Sequence, residues 1–160
     1  MADFRTIWRA DRFIGDFAPS DGGLAVGCDL TTSVLISLFT HRRAHPDDRL
    51  PDQAQGDRRG WWADIANSRP IGSRLWLLSR EKQTDETLRR AEAYGREALQ
   101  WLIADGIASR VEVVAEAPRQ GVLALGVTII RDSNETRRLL LEAPWTGLES
   151  CVDIKVSQGE

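Results

Sequence analysis

Several side chains that could do chemistry lie in one proline-containing segment, residues 41–70. His41 and His45 stand four residues apart, two aspartates follow them, and these residue types bind zinc. Two histidines at this spacing converge on one ion only when they share a helix, and Pro46 indicates that any helix has ended there. We therefore predict a solvated polar loop and no metal site.

Paired carboxylates could support glycoside hydrolysis, which requires one acid in an apolar pocket that raises its pKa. Glu97 and Glu112 are the acids nearest to apolar sequence, but each falls on the polar side of its predicted element, where solvation is its expected role. The chain also lacks the HExxH, GxxxxGKS/T and GxSxG motifs. We therefore expect no catalytic residue, metal or cofactor, and keep a hydrolase as the alternative.

Arg58, Arg59, Trp61 and Trp62 form an unusual short sequence, RRGWW, inside the same segment. Tryptophan normally buries its large ring, and arginine suits stacked and bidentate contacts at interfaces. A loop as long as 41–70 is usually functional or packed on a partner. We predict that these four residues bind another protein. The alternative is that both tryptophans cover a small core beneath the loop.

The composition is that of one globular domain spanning residues 1–160, with 42% hydrophobic and 28% charged residues. RRGWW could stack bases, but a net charge of −3 makes nucleic acid a weaker expectation than protein. No stretch approaches the ~20 apolar residues of a membrane span, and the start lacks a secretion signal. Cys28 and Cys151 favour reduced thiols over a disulfide, so we expect a protein made in the cytoplasm.

The spacing of apolar residues predicts an α+β fold in which helices and a long loop precede an antiparallel sheet. The first half should contain a strand at 4–9, a possible strand at 24–26, a helix over 30–40 with a strand as its alternative, the loop 41–70, and a short helix within 72–82.

One long helix, about residues 85–105, is predicted to pack on the C-terminal sheet. Thr84 is a favourable N-cap, and Gly106 is placed to end the helix. Small residues in its apolar stripe, Gly95 and Ala98, predict a close approach to the sheet. The sheet itself, about residues 110–142, should consist of strands at 110–116, 122–131 and 136–142, with 151–156 as a possible fourth.

The segments VLISLFTHRRA, GDRRGWWADI, IGSRLWLLSREKQTDETLRRAEAYGREALQWLIADG and VEVVAE resemble, in this order, the Mu-like phage baseplate proteins. Those proteins belong to the wider family of contractile-tail baseplate wedge proteins, also called sheath initiators. The similarity runs from about Gly22 to Trp145 and leaves the tail, residues 146–160, outside it. DRRGWW and GSRLWLL are its most specific pieces.

The resemblance implies a structural α+β domain of a bacteriophage virion, placed in the baseplate of its contractile tail after assembly in the host cytoplasm. It implies a sixfold ring of copies that joins other wedge proteins to the hub and seeds the first ring of sheath subunits. The family is also labelled lysozyme-like, a label that the residues here do not support. A tail-associated hydrolase acting on peptidoglycan is therefore kept only as the alternative.

Many members of the family carry a Glu-Pro-Arg triplet before the long helix, where this chain reads SREK at residues 79–82. The proline is absent, and Arg80 and Glu81 are the candidates for taking over that partner contact. The resemblance further implies that sheath subunits add strands to a sheet of the initiator. We expect the strand at 136–142 to present an apolar edge, with Leu139 and Leu141 selecting the partner strand. The tail at 151–156 could instead fold back and cover this edge.

Overall fold

The computed structural model describes residues 30–51, 56–62, 64, 69–133 and 135–149, together with the backbone of short strands near both ends. The N-terminal strands form three antiparallel pairs, in which β1 joins β6, β2 joins β3 and β4 joins β5. Their bounds are β1 (Asp3–Phe4), β2 (Thr6–Arg9), β3 (Ile14–Phe17), β4 (Pro19–Ser20), β5 (Gly23–Leu24) and β6 (Val26–Gly27). The strand predicted at 4–9 is therefore confirmed for the most part, and the one predicted at 24–26 is divided between β5 and β6.

Helix α1 (Leu30–Phe39) is a helix rather than the alternative strand. Its apolar residues Val34 and Leu38 are buried, which accounts for the helical spacing seen in the sequence. The short helix predicted within 72–82 is a 3-10 helix, Leu75–Leu78, and all four of its side chains are buried.

The long helix is bent into α2 (Asp85–Leu99) and α3 (Trp101–Ala104). The Thr84 side chain caps its start by accepting a hydrogen bond from the backbone of Thr87 at 3.3 Å. Gly106, at φ 68°, closes its end in the left-handed region. Backbone bonds from Gly106 to Ile103 and from Ile107 to Leu102 form a Schellman motif, so both predicted caps are confirmed.

The C-terminal sheet is antiparallel, with the strand order β10-β9-β8-β7. Its bounds are β7 (Arg110–Glu116), β8 (Val122–Ile130), β9 (Thr136–Pro144) and β10 (Lys155–Gly159). Strand β10 pairs with β9 from Lys155 opposite Glu142 to Gly159 opposite Arg138. The expectation that 136–142 presents a free edge is therefore wrong, because a later segment of the chain occupies that edge. Residues 151–154, where the fourth strand was predicted to begin, lie outside the described residues.

One face of this sheet packs on the helices and forms the core with them. Gly95 of α2 approaches β7 so closely that a Cβ atom there would lie 2.9 Å from Cγ1 of Val113. The close approach predicted from the small residues is thus confirmed at Gly95. Ala98 lies instead beside a groove of about 420 Å³ that Ile36 of α1 and Trp101 also line.

Candidate functional site

The long loop begins and returns at one tight junction beside α1. Arg42 donates its backbone N–H to the carbonyl of Ser73 at 2.9 Å, and Ser73 donates to the carbonyl of Thr40 at the same distance. Gly72 adopts φ 97°, and a Cβ atom there would lie 2.3 Å from the carbonyl oxygen of Thr40. Only glycine fits this position, so the two ends of the loop are fixed to each other by the backbone.

Arg74 joins the loop to the long helix. Its Nη1 donates to both carboxylate oxygens of Asp48 at 3.0 and 2.9 Å, while its Nε and Nη2 donate to Glu97 at 3.0 and 2.9 Å. The guanidinium also lies over the ring of Tyr94, 4.6 Å from the ring centroid. This arrangement holds one cation between two carboxylates and an aromatic face.

The charges in this cluster stabilise one another. Burial opposes the charge of Asp48, but its hydrogen bonds with Arg74 and with the backbone of His45 outweigh burial and lower its pKa. Burial likewise opposes the charge of Arg74, and its bonds to Asp48 and Glu97 outweigh it and raise its pKa. Asp48 and Arg74 are therefore both charged at neutral pH.

Glu97 is a hub of this cluster and not the solvated acid that its position in the sequence predicted. Besides Arg74, the guanidinium of Arg42 lies 3.7 Å away and the imidazole of His45 lies 3.9 Å away. The prediction was wrong because the polar side of α2 at this point faces the loop and not solvent. Glu112 pairs with Arg110 at 2.6 Å on the sheet.

Arg58 supports the loop from within. Its guanidinium donates to the backbone carbonyls of His45 at 2.6 Å and Pro46 at 3.1 Å, and its own carbonyl accepts from Ala44 at 3.1 Å. These bonds tie the part of the loop before the RRGWW sequence to the part that contains it. The donors expected to bind a partner are engaged inside the chain.

Arg59 turns inward as well. Its guanidinium lies 5.0 Å from the ring centroid of Trp76, and its Nη1 lies 3.0 Å from Nδ1 of His41. Nε2 of His41 lies 3.3 Å from the carbonyl of Leu148. His41 therefore contacts both Arg59 and the backbone through its ring nitrogens. It is a packed residue and not the solvated one that we expected, and Arg58 and Arg59 both support the loop in the free chain.

The two tryptophans that follow lie at the surface. Trp61 is 37% exposed and Trp62 is 80% exposed, and their rings are tilted against each other with centroids 5.7 Å apart. The alternative in which both cover a small core is therefore wrong for Trp62. Tryptophan is enriched at protein interfaces, so Trp62 stays a candidate partner contact.

Arg80 and Glu81, which precede the long helix, differ in their exposure to solvent. Glu81 accepts from Nη1 of Arg90 through both oxygens at 2.7 Å, and Nη2 of Arg90 donates to the hydroxyl of Tyr94 at 3.3 Å. Burial opposes the charge of Arg90, and its bonds with Tyr94 and Glu81 outweigh it and raise its pKa. Glu81 is thus engaged within the domain, while Arg80 is exposed.

Leu139 and Leu141 do not face a partner. They are 2% and 0% exposed and belong to the core, whereas Leu140 between them is 44% exposed on the other face of the sheet. Their assignment as partner contacts is corrected, because side chains alternate along a strand and this apolar pair lies on the face that forms the core.

Two other kinds of site, for a metal ion and for a membrane, are absent from the described part of the chain. No group of three or more histidine, cysteine, aspartate or glutamate side chains among the described residues could hold a metal ion. Within the same residues, no helix has the length and apolar character needed to span a bilayer.

The sequence did not predict the Arg74 cluster. Asp48, Arg74 and Glu97 are far apart in the chain and follow no shared period. The one available signal was the strong bias toward arginine, since Lys82 and Lys155 are the only lysines among 21 basic residues. Arginine can satisfy several acceptors at once, and this structure uses it that way.

Comparison with known proteins places the chain in a family. A family model described as Phage protein GP46 matches residues 30–136. The baseplate protein gp46 of Escherichia phage Mu is 50% identical over 129 residues, covering 81% of this chain and 87% of that protein. The Mu-like prophage FluMu protein gp46 of Haemophilus influenzae is 35% identical over 147 residues, covering 91% and 99%. This chain therefore belongs to the phage protein GP46 family.

Proposed function

We propose that this protein is a structural component of a contractile phage tail baseplate and resides in the virion. Over the 129 residues compared, which cover most of both chains, half are identical to those of the Mu baseplate protein. The observation within the molecule that carries the proposal is Trp62, which is 80% exposed on a loop whose arginines hold it from within. Such a ring is a preformed anchor for a neighbouring protein.

The proposal is tested by locating the protein in purified tails. Tails from a phage that carries an epitope-tagged copy should contain the protein at a fixed stoichiometry, in a multiple of six per tail if it forms a sixfold ring. Quantitative immunoblotting against the tail tube protein measures this. Complete tails that lack the protein would contradict the proposal.

We propose no catalytic activity, because the two carboxylates that the sequence offered are both in ion pairs. Zymography of the purified protein on peptidoglycan checks this, with Glu97→Gln as the comparison. Reproducible cleavage that disappears in Glu97→Gln would show a hydrolase instead of a purely structural protein.

We further propose that the protein joins wedge to hub and starts the sheath by accepting a strand at the outer edge of β10. The opposite edge of the sheet, on β7, is partly closed. Glu92 of α2 accepts the backbone N–H of Ala115 at 3.1 Å and is itself held by Arg96 at 2.9 Å. A helix side chain that takes a donor of the outermost strand blocks the addition of another strand there. Among the strands that the structure describes, β10 is the outermost one on the other side of the sheet, and it is the edge that we propose for strand addition.

Two proline substitutions test this edge. Backbone N–H groups alternate between the two sides of a strand, so one of Ser157→Pro and Gln158→Pro removes a donor that faces outward. The variant that leaves the melting temperature of the free domain unchanged is the outward one, and it should give tails with short or absent sheaths. Ser133→Pro, in the turn before β9, is the control. Sheaths of normal length with both β10 variants would contradict strand addition at this edge.

A further inference from the structure

A basic cleft of about 500 Å³ opens between the loop and the residues that lead into α2. Arg49 lines it from the loop side, Arg80 and Lys82 line it from the other side, and Arg90 of α2 contributes a fourth cation. The buried side chain of Leu77 and the partly buried Leu50 add apolar surface.

The positive charge of the cleft is only partly balanced from within. Glu81 is the one acid among the described lining residues, and its carboxylate is engaged by Arg90 at 2.7 Å. Arg49 and Lys82 are exposed, and neither forms an ion pair within the described portion of the chain. The chain as a whole carries −3, so this positive cleft runs against the overall charge.

We propose that this cleft binds an acidic, extended segment of another protein. Two carboxylates of the segment would pair with Arg49 and Lys82, and an apolar residue between them would pack on Leu50 and Leu77. The inference rests on the proposed function in one respect, namely that the protein works inside an assembly with protein partners. The cleft then supplies a second contact, of different chemistry from the exposed Trp62.

A protein segment suits the cleft better than other anionic ligands do. No aromatic side chain is among the described lining residues, so bases of a nucleic acid would find no ring to stack on there. A free inorganic anion would leave the apolar surface uncovered and most of the volume unfilled. An alternation of acidic and apolar side chains matches both the charges and the apolar surface.

The test uses the full chain and a fluorescein-labelled peptide, Glu-Leu-Glu-Leu-Glu, with binding followed by fluorescence anisotropy at low salt. The double variant Arg49→Glu with Lys82→Glu should weaken binding by about tenfold or more, because it places like charges opposite the peptide. The control double variant, Arg89→Glu with Arg138→Glu, makes the same change in charge at exposed positions elsewhere and should stay within about twofold. Circular dichroism melting confirms that each variant is folded. Arg49→Gln with Lys82→Gln replaces the cleft variant if the reversal does not fold.

Three results would overturn the inference. The acidic peptide could fail to bind, the control variant could weaken binding as much as the cleft variant, or the oppositely charged peptide Lys-Leu-Lys-Leu-Lys could bind equally well. A single-stranded DNA oligonucleotide that binds more tightly than the peptide and is lost in the cleft variant would assign the cleft to nucleic acid instead. If the protein binds the peptide but is absent from purified tails, the proposed function is contradicted, while the inference that the cleft binds an acidic segment still holds.

Discussion

The packing of the long helix on the sheet and the packing of the long loop on the same helix differ in what holds them. The helix and sheet share one apolar core, with Leu99, Val113 and Leu141 among its residues, whose spacing follows the helix and strand periods. The loop is joined to the helix through Arg74, and its own two ends are joined to each other by a backbone junction at Gly72. A periodic interface tolerates small changes at many positions, whereas the loop depends on a few residues that have no substitute.

The largest effect is expected at the loop junction. Gly72→Ala would place a Cβ atom 2.3 Å from the carbonyl oxygen of Thr40 and would hold alanine at φ 97°. We expect a loss of about 3–4 kcal/mol in the free energy of unfolding, measured by urea denaturation. Gly121→Ala is the control, because Gly121 also has a positive φ but no atom near its Cβ position. Equal losses for the two variants would show that backbone strain alone, and not the junction, accounts for the effect.

Removal of the central cation is expected to come next. Arg74→Met would remove the cation that pairs with both Asp48 and Glu97. The side chains of these two acids are only 15% and 25% exposed, respectively. We expect a loss of about 2–3 kcal/mol in the same assay, since a partly buried charge without its partner is costly. Arg131→Met breaks an exposed ion pair with Glu135 and should cost no more than about 0.5 kcal/mol. Similar losses of unfolding free energy for the two variants would show that the Arg74 cluster stabilises the fold no more than an exposed ion pair does.

The apolar interface should respond more mildly. Gly95→Ala brings a Cβ atom to 2.9 Å from Val113, so overpacking is expected to cost about 1–3 kcal/mol, offset by about 1 kcal/mol of helix propensity. Ala98→Leu, beside the open groove, should cost less, because the added carbons have space. Thermal denaturation of both variants checks the order. A larger loss for Ala98→Leu would mean that the helix packs on the sheet along a different face.

Low pH is expected to weaken the contacts that hold the loop before it affects the apolar core. The pKa of Asp48 is lowered in the folded state, so its contribution to stability is present above its ordinary value of 3.8 and is lost as the pH falls below that value. The difference in stability between the wild type and Asp48→Asn should therefore shrink as the pH is lowered through this range. Urea denaturation at pH 7 and at about pH 3 compares them. A stability difference that is the same at both pH values would show that the charge of Asp48 does not stabilise the cluster.

The comparison also separates what the sequence could predict from what it could not. The α+β fold, the caps at Thr84 and Gly106 and the close approach at Gly95 follow from local propensity and periodicity. The inward turn of Arg58 and Arg59 depends on carbonyls and rings that the fold brings together from distant positions. No local pattern encodes such contacts.

The same limit explains the errors at the sheet. From the sequence alone, Leu139 and Leu141 predict an apolar strand edge that is open to a partner, because the sequence does not show that the C-terminal tail pairs with this strand. Three consecutive leucines, residues 139–141, do not reveal in the sequence which of them face the core, whereas the structure buries Leu139 and Leu141 and exposes Leu140. The exposure of Trp62 likewise became clear only when the supports of the loop were seen.

We propose above all that an internally supported loop presents Trp62 to a partner in the baseplate. It is tested most directly by the amount of Trp62→Ala protein that assembles into tails, measured beside the stability of the free domain. We predict an unfolding free energy within about 0.5 kcal/mol of the wild type and a loss of about 2 kcal/mol or more in association, seen as depletion from purified tails. Trp76→Ala, at a tryptophan that is only 3% exposed, should instead destabilise the free domain. Wild-type incorporation of Trp62→Ala, or unfolding of its free domain, would contradict the account.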